Sequence, residues 1–131
     1  LSTALSATRA KRIEAEVRVK GKKDQLNSLS DKKNILIENL DKLRELIKEA
    51  SSAGFVERNG KKINFQELEE MAQSLTSQIE SVNAQLEQIT QVAGAWKNKV
   101  AWLNAQELDL TRQLHDVDDH RHDWTPTGSP P

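Results

Sequence analysis

From Leu68 onward the chain repeats one pattern with little tolerance for any fold but a long helix. Leu68, Ala72, Leu75, Ile79, Val82, Leu86, Ile89, Ala93, Trp96, Val100, Leu103, Glu107, Leu110, Leu114 and Val117 alternate spacings of four and three without a slip. Those spacings return to one face of an α-helix and define a coiled-coil seam, here sustained for about seven heptads. Only Glu107 on that seam is charged. At 1.5 Å per residue, a helix from Phe65 to about Asp118 runs roughly 80 Å. Gly94, between Ala93 and Ala95, marks a kink or a place of close helix approach. Pro126 and the Pro130-Pro131 end point to an extended tail over 124–131.

Before the hairpin a second seam occupies Leu26, Leu29, Leu36, Leu40, Leu43, Ile47 and Ala50, with Lys33 its one break. Ile37 and Leu46 widen this stripe, as expected for a helix with more than one neighbour. Ser51-Ser52-Ala53-Gly54 ends it, Gly54 being suited to the left-handed conformation past a helix C-terminus.

Between the seams, the stretch from Gly54 to Leu68 alternates with period two. Asn59-Gly60 is a signal for a two-residue type I′ turn, because both central positions need positive φ. The turn sets the register: Arg58 faces Lys61, Glu57 faces Lys62 and Val56 faces Ile63. Val56, Ile63 and Phe65 then share one face, while Phe55, Glu57 and Lys62 share the other. Asn64 is a good N-cap with Glu67 at the capping-box position, and Ile63 and Leu68 stand at the hydrophobic-staple positions. An isolated two-stranded ribbon is marginal in water, so this one leans on the flanking helices.

The expected fold class is mainly α: a long antiparallel helical hairpin or coiled coil with a short β-hairpin at the junction. The 14 residues from Ser51 to Asn64 are too few to return the chain for a parallel alignment. The expected organisation is a basic helical extension or arm over 1–25, a helix–β-hairpin–helix unit over 26–93, a coiled-coil extension over 94–123 and the Pro-rich tail. In the arm, Arg9, Lys11, Arg12, Arg18, Lys20, Lys22 and Lys23 outnumber Glu14 and Glu16, and the apolar stripe is thin. It reads as a helix weakened near Gly21 or as a disordered arm. Its charge reads first as a solvated face, and second as a surface for phosphate or an acidic partner. Antiparallel pairing lays it beside the acidic stretch of Glu107, Asp109, Asp116, Asp118, Asp119 and Asp123.

Few chemistries are open to these residues. There is no Cys, which removes disulfides, thiolate nucleophiles and Cys-type zinc sites. No phosphate-loop glycine pattern, HExxH or nucleophile–base set is present, so no enzyme activity and no cofactor are expected. Net charge is −1, which gives no global attraction to nucleic acid or an anionic membrane. No apolar run is long enough to span a bilayer. No segment reads as a signal peptide, and a start at Leu1 suits a processed chain or a piece of a longer one. His115, Asp119 and His122 share a helix face at i, i+4 and i+7, a spacing that could hold zinc or nickel; the simpler reading is a solvated helix end. Trp96 is a seam residue. Trp102 falls off the seam and Trp124 follows the expected helix, so both are candidates for a partner surface, together with Val56, Arg58, Lys61 and Ile63 of the hairpin.

The stretch Val56-Glu57-Arg58-Asn59-Gly60-Lys61-Lys62-Ile63-Asn64-Phe65, with a Leu-rich helix on each side, resembles the W family of small phage head-to-tail joining proteins. That family has an α-β-β-α order and a hairpin of the form V-x-x-x-G-[RK]-x-[VI]-x-[FY]. The resemblance covers roughly 36–86. The family is much shorter, lacking both the basic extension before this unit and the coiled-coil extension after it. The likeness implies a virion neck protein that assembles as a ring on a portal, accepts tail components and carries no catalytic residues. The partners it implies are copies of the chain or portal and neck proteins, in a virion or the cytoplasm. The competing reading is a cellular coiled-coil adaptor or chaperone module, such as a secretion-system stalk.

Overall fold

A computed structural model describes the backbone of residues 1–128 and the side chains of residues 1–118. Four elements follow in order: α1 (Ser2–Ala53), β1 (Phe55–Arg58), β2 (Lys61–Asn64) and α2 (Phe65–Gly128). Two long helices pack together with a two-stranded antiparallel hairpin between them, which is the fold class expected from the seams.

The junction forms as its residues dictate. Gly54 takes φ +84° and donates its N–H to the Ala50 carbonyl at 2.7 Å, closing α1 with a left-handed cap. Asn59 and Gly60 take φ +53° and +76°, the type I′ combination, and the strands pair Arg58 with Lys61, Glu57 with Lys62 and Val56 with Ile63. At the start of α2 the Glu67 N–H donates to Asn64 Oδ1 at 2.8 Å. The reciprocal bond differs from a standard capping box: Asn64 Nδ2 donates to Glu67 Oε1 at 3.4 Å, side chain to side chain.

The chain divides into two compact units. The hairpin unit comprises Asp24–Thr90, the β-hairpin with the helical segments that flank it. Its core is Leu43, Ala50, Val56 and Leu68, with Leu46, Ile47, Ile63, Phe65, Ala72 and Leu75 packed around them. Leu68 is fully buried. Removing a side chain of that size from water contributes about 1.5–3 kcal/mol. The helices here run antiparallel: Leu40 and Arg44 share a groove with Ala72 and Thr76, whereas Ser28 and Leu29 share one with Gln85 and Ile89.

The terminal unit comprises Leu1–Lys23 and the chain from Gln91 on. Among the described residues those buried in this unit are Leu5, Thr8, Ala15, Ala93 and Leu103. Here too the run is antiparallel, since Arg18 meets Trp96 while Arg12 meets Glu107.

On α2 every seam position from Leu68 to Leu114 is buried or half-buried. Val117 is exposed. The same 3-4 alternation also runs through the start of α1, as Leu5, Thr8, Arg12, Ala15, Val19 and Lys22. The thin stripe read in the sequence is therefore a working seam, filled in part by polar residues.

Two points of the sequence reading are decided by the backbone. The basic segment takes the helical one of its two readings, not the disordered one: α1 passes through Gly21 without interruption. One helical Gly costs about 1 kcal/mol relative to Ala, which packing of Ala15, Val19 and Leu26 offsets. The second concerns the C-terminal end. α2 continues to Gly128, past the end expected near Asp118 and through Pro126, where an extended tail was expected. Pro126 has no N–H for the carbonyl four residues back, but so near the end that loss is confined to the last turn.

Candidate functional site

In the hairpin unit the sequence candidates separate into core and surface. Val56 is only 5% exposed and belongs to the core, and Ile63 packs against it. Val56 is thus enclosed by the unit's own helices, while Ile63 remains half-buried at the edge of that core. Arg58 and Lys61 are exposed. Arg58 Nη2 pairs with Glu49 Oε2, and Nη1 donates to the Glu57 carbonyl at 3.0 Å, which ties the ribbon to the end of α1. On the outer face the Lys62 ammonium lies 4.6 Å from the Phe55 ring centroid.

A groove on this unit was not singled out in the sequence. Asn39, Lys42, Leu43 and Leu46 of α1 line it with Met71, Ser74, Leu75 and Gln78 of α2. Its wall includes Met71, which is 48% exposed, and Ile35 lies one turn before Asn39 and is 57% exposed. In an antiparallel pair, residues one position before each seam on both helices fall on the same side. That places Ile35, Leu46 and Met71 on one face.

The terminal unit concentrates charge. Glu107, the one charged seam residue of α2, accepts from Arg12 Nε and from Arg9 Nε, the latter at 3.0 Å. Arg12 also holds Glu16 at 2.9 Å. The Arg12 hydrogen bond leads in holding the Glu107 carboxyl below the usual carboxylate range, with Arg9 adding to it, and burial opposes the shift. Glu107 in turn raises the Arg12 guanidinium above its ordinary value. Sequence analysis recognised Glu107 as a seam position and the acidic–basic juxtaposition, but not Arg12 as its counterpart.

Trp96 is half-buried in the seam and lies under two cations, with Arg18 and Lys99 at 5.5 and 5.3 Å from its ring. Trp102, one position before Leu103, is 58% exposed, and Lys99 precedes it by one turn. The side chains of Trp124, Asp119 and His122 lie outside the described residues. His115 is on the exposed side of α2. Among the described residues no group of His, Asp and Glu is placed to hold a metal ion, and no helix is long and apolar enough to cross a membrane.

These surfaces can bind by packing, cation–π contact and ion pairing. No protein family, curated protein or solved structure matches this chain.

Proposed function

We propose that this chain is a non-enzymatic assembly protein that works by helix packing, with a homo-oligomeric ring in a phage virion neck as its setting. The observation that carries the assembly reading is apolar surface: Ile35 and Met71 stand exposed on one face of the hairpin unit, and Trp102 is 58% exposed on the terminal unit. Exposed apolar side chains grouped on a face mark association sites. The neck setting rests on the likeness of the 56–65 hairpin to head-to-tail joining proteins.

A second setting, a cellular coiled-coil adaptor or stalk, is favoured by the paired seams of the terminal unit. The W-family likeness stops short of that part.

Trp102→Ala tests the association reading. Far-ultraviolet circular dichroism should stay nearly unchanged, while capture of the native partner weakens. Equal loss of helicity and capture would make Trp102 a folding residue; no change in either would remove it from the working surface. Size fractionation of the native source tests the setting, since co-migration with portal and neck proteins is expected and co-migration with secretion components would select the adaptor.

A further inference from the structure

The two units carry opposite charge. The terminal unit has eleven basic and eight acidic residues, net +3; the hairpin unit has eight and twelve, net −4. The imbalance is sharpest in two stretches. Residues 65–90 hold Glu67, Glu69, Glu70, Glu80 and Glu87 and no Lys or Arg, while residues 91–103 hold Lys97 and Lys99 and no Asp or Glu.

Each stretch also bears an uncovered apolar anchor. On the hairpin unit it is Met71, in the groove with Leu46 and Lys42 and one turn beyond Glu67. On the terminal unit it is Trp102, one turn beyond Lys99, with Val92 37% exposed on the same side. Arg18 and Lys99 over Trp96 add positive charge there.

We infer that a second copy of this chain covers these faces: the Trp102–Lys99 face of one chain docks on the Met71–Leu46 groove of another. This rests on the association reading and names its partner. An indole beside a cation suits a methionine-lined groove on an acidic unit, because sulfur–aromatic contact and ion pairing act together; Lys42, the one charged residue of the lining, is outweighed by the unit's net −4. Pairing like units instead would set +3 against +3 or −4 against −4, which disfavours a contact of each face with itself.

The absence of cysteine gives a clean test. Full-length chains carrying Ser74→Cys and Ala95→Cys singly, on the two faces but off the anchors, are differently tagged, mixed and treated with a short bismaleimide. The mixture should give the mixed dimer well above the self-linked product of either chain alone. The yield should fall between 0.15 and 1 M NaCl, and Lys99→Glu or Trp102→Ala should weaken it about tenfold, the scale of losing one hot-spot anchor. Predominant Ser74→Cys self-linking, or sedimentation as a monomer with no mixed product, overturns the inference. If that monomer still captures its native partner, the association reading stands without self-pairing; if it captures nothing, both fall.

Discussion

The hairpin unit and the terminal unit use one heptad geometry with different fillings. Around Leu43, Ala50, Val56 and Leu68 the layers are apolar and the ribbon closes the end of the helix pair. In the terminal unit the corresponding positions include Thr8, Arg12 and Lys22 on α1 and Glu107 on α2. Apolar layers stabilise a helix pair without much preference for register, because one leucine replaces another at little cost. A polar layer contributes less stability and discriminates more, because a one-heptad slip leaves a charge without its counterpart. The apolar layers beside the ribbon thus hold most of the stability, and alignment rests on the charged positions, which are concentrated in the terminal unit, with Lys33 the exception in the hairpin unit.

The largest break in that contrast should come from Leu68→Ala. With Leu68 fully buried, truncation should cost about 2–5 kcal/mol, read as a lower urea midpoint. A loss under about 1 kcal/mol would show that the layer relaxes and that the hairpin unit is not the stability reservoir.

Gly60→Val should follow. At φ +76° any Cβ is strained, and a left-handed non-glycine residue costs about 1–2 kcal/mol, with a β-branched one at the upper end. Space is not the obstacle, since a Cβ there would meet nothing within 4 Å. Amide exchange across β1 and β2 should accelerate, and unchanged protection would mean the turn does not set the ribbon.

Asn64→Ala removes the acceptor for the Glu67 N–H and should cost about 1 kcal/mol. Asn64→Ser should restore most of it; equal melting temperatures for all three proteins would show that the cap contributes nothing.

Near neutral pH the smallest stability change should come from Glu107→Gln, and it sharpens the contrast best. The folded carboxyl titrates below its unfolded value of about 4.3. Its contribution is therefore full above that unfolded value and is lost as pH falls through the lower, folded one. Glu107→Gln should flatten this part of the acid profile while leaving the hairpin unit's response unchanged. A wild-type profile identical to that of Glu107→Gln would remove the carboxylate from the alignment.

Legibility in the sequence followed the same division. The hairpin could be read to single-residue register because only glycine and a few polar residues tolerate the conformation of Asn59-Gly60. The α2 seam could be read because its positions are apolar. The start of α1 could not, because hydropathy does not register half-buried charged residues such as Arg12 and Lys22 as seam positions. The pattern puts Val56 and Ile63 on one apolar face without saying that the unit's own helices enclose Val56. The groove at Met71 is made by two distant segments, so no local spacing reveals it. Pro126 misled because a proline near a helix end weighs less than one in its middle.

The Arg12–Glu107 pair joins residues 95 apart in sequence, whereas Val56 and Ile63 meet across a two-residue turn. Closing a loop of that length first would cost roughly 2 kcal/mol more entropy than closing the ribbon. The favoured route therefore starts at the turn and adds one layer at a time toward the termini, each step closing only a short segment. On that route the charged layer forms late, after the apolar layers have fixed the pairing. Weakening Glu107 should then hasten unfolding and leave the refolding rate nearly untouched.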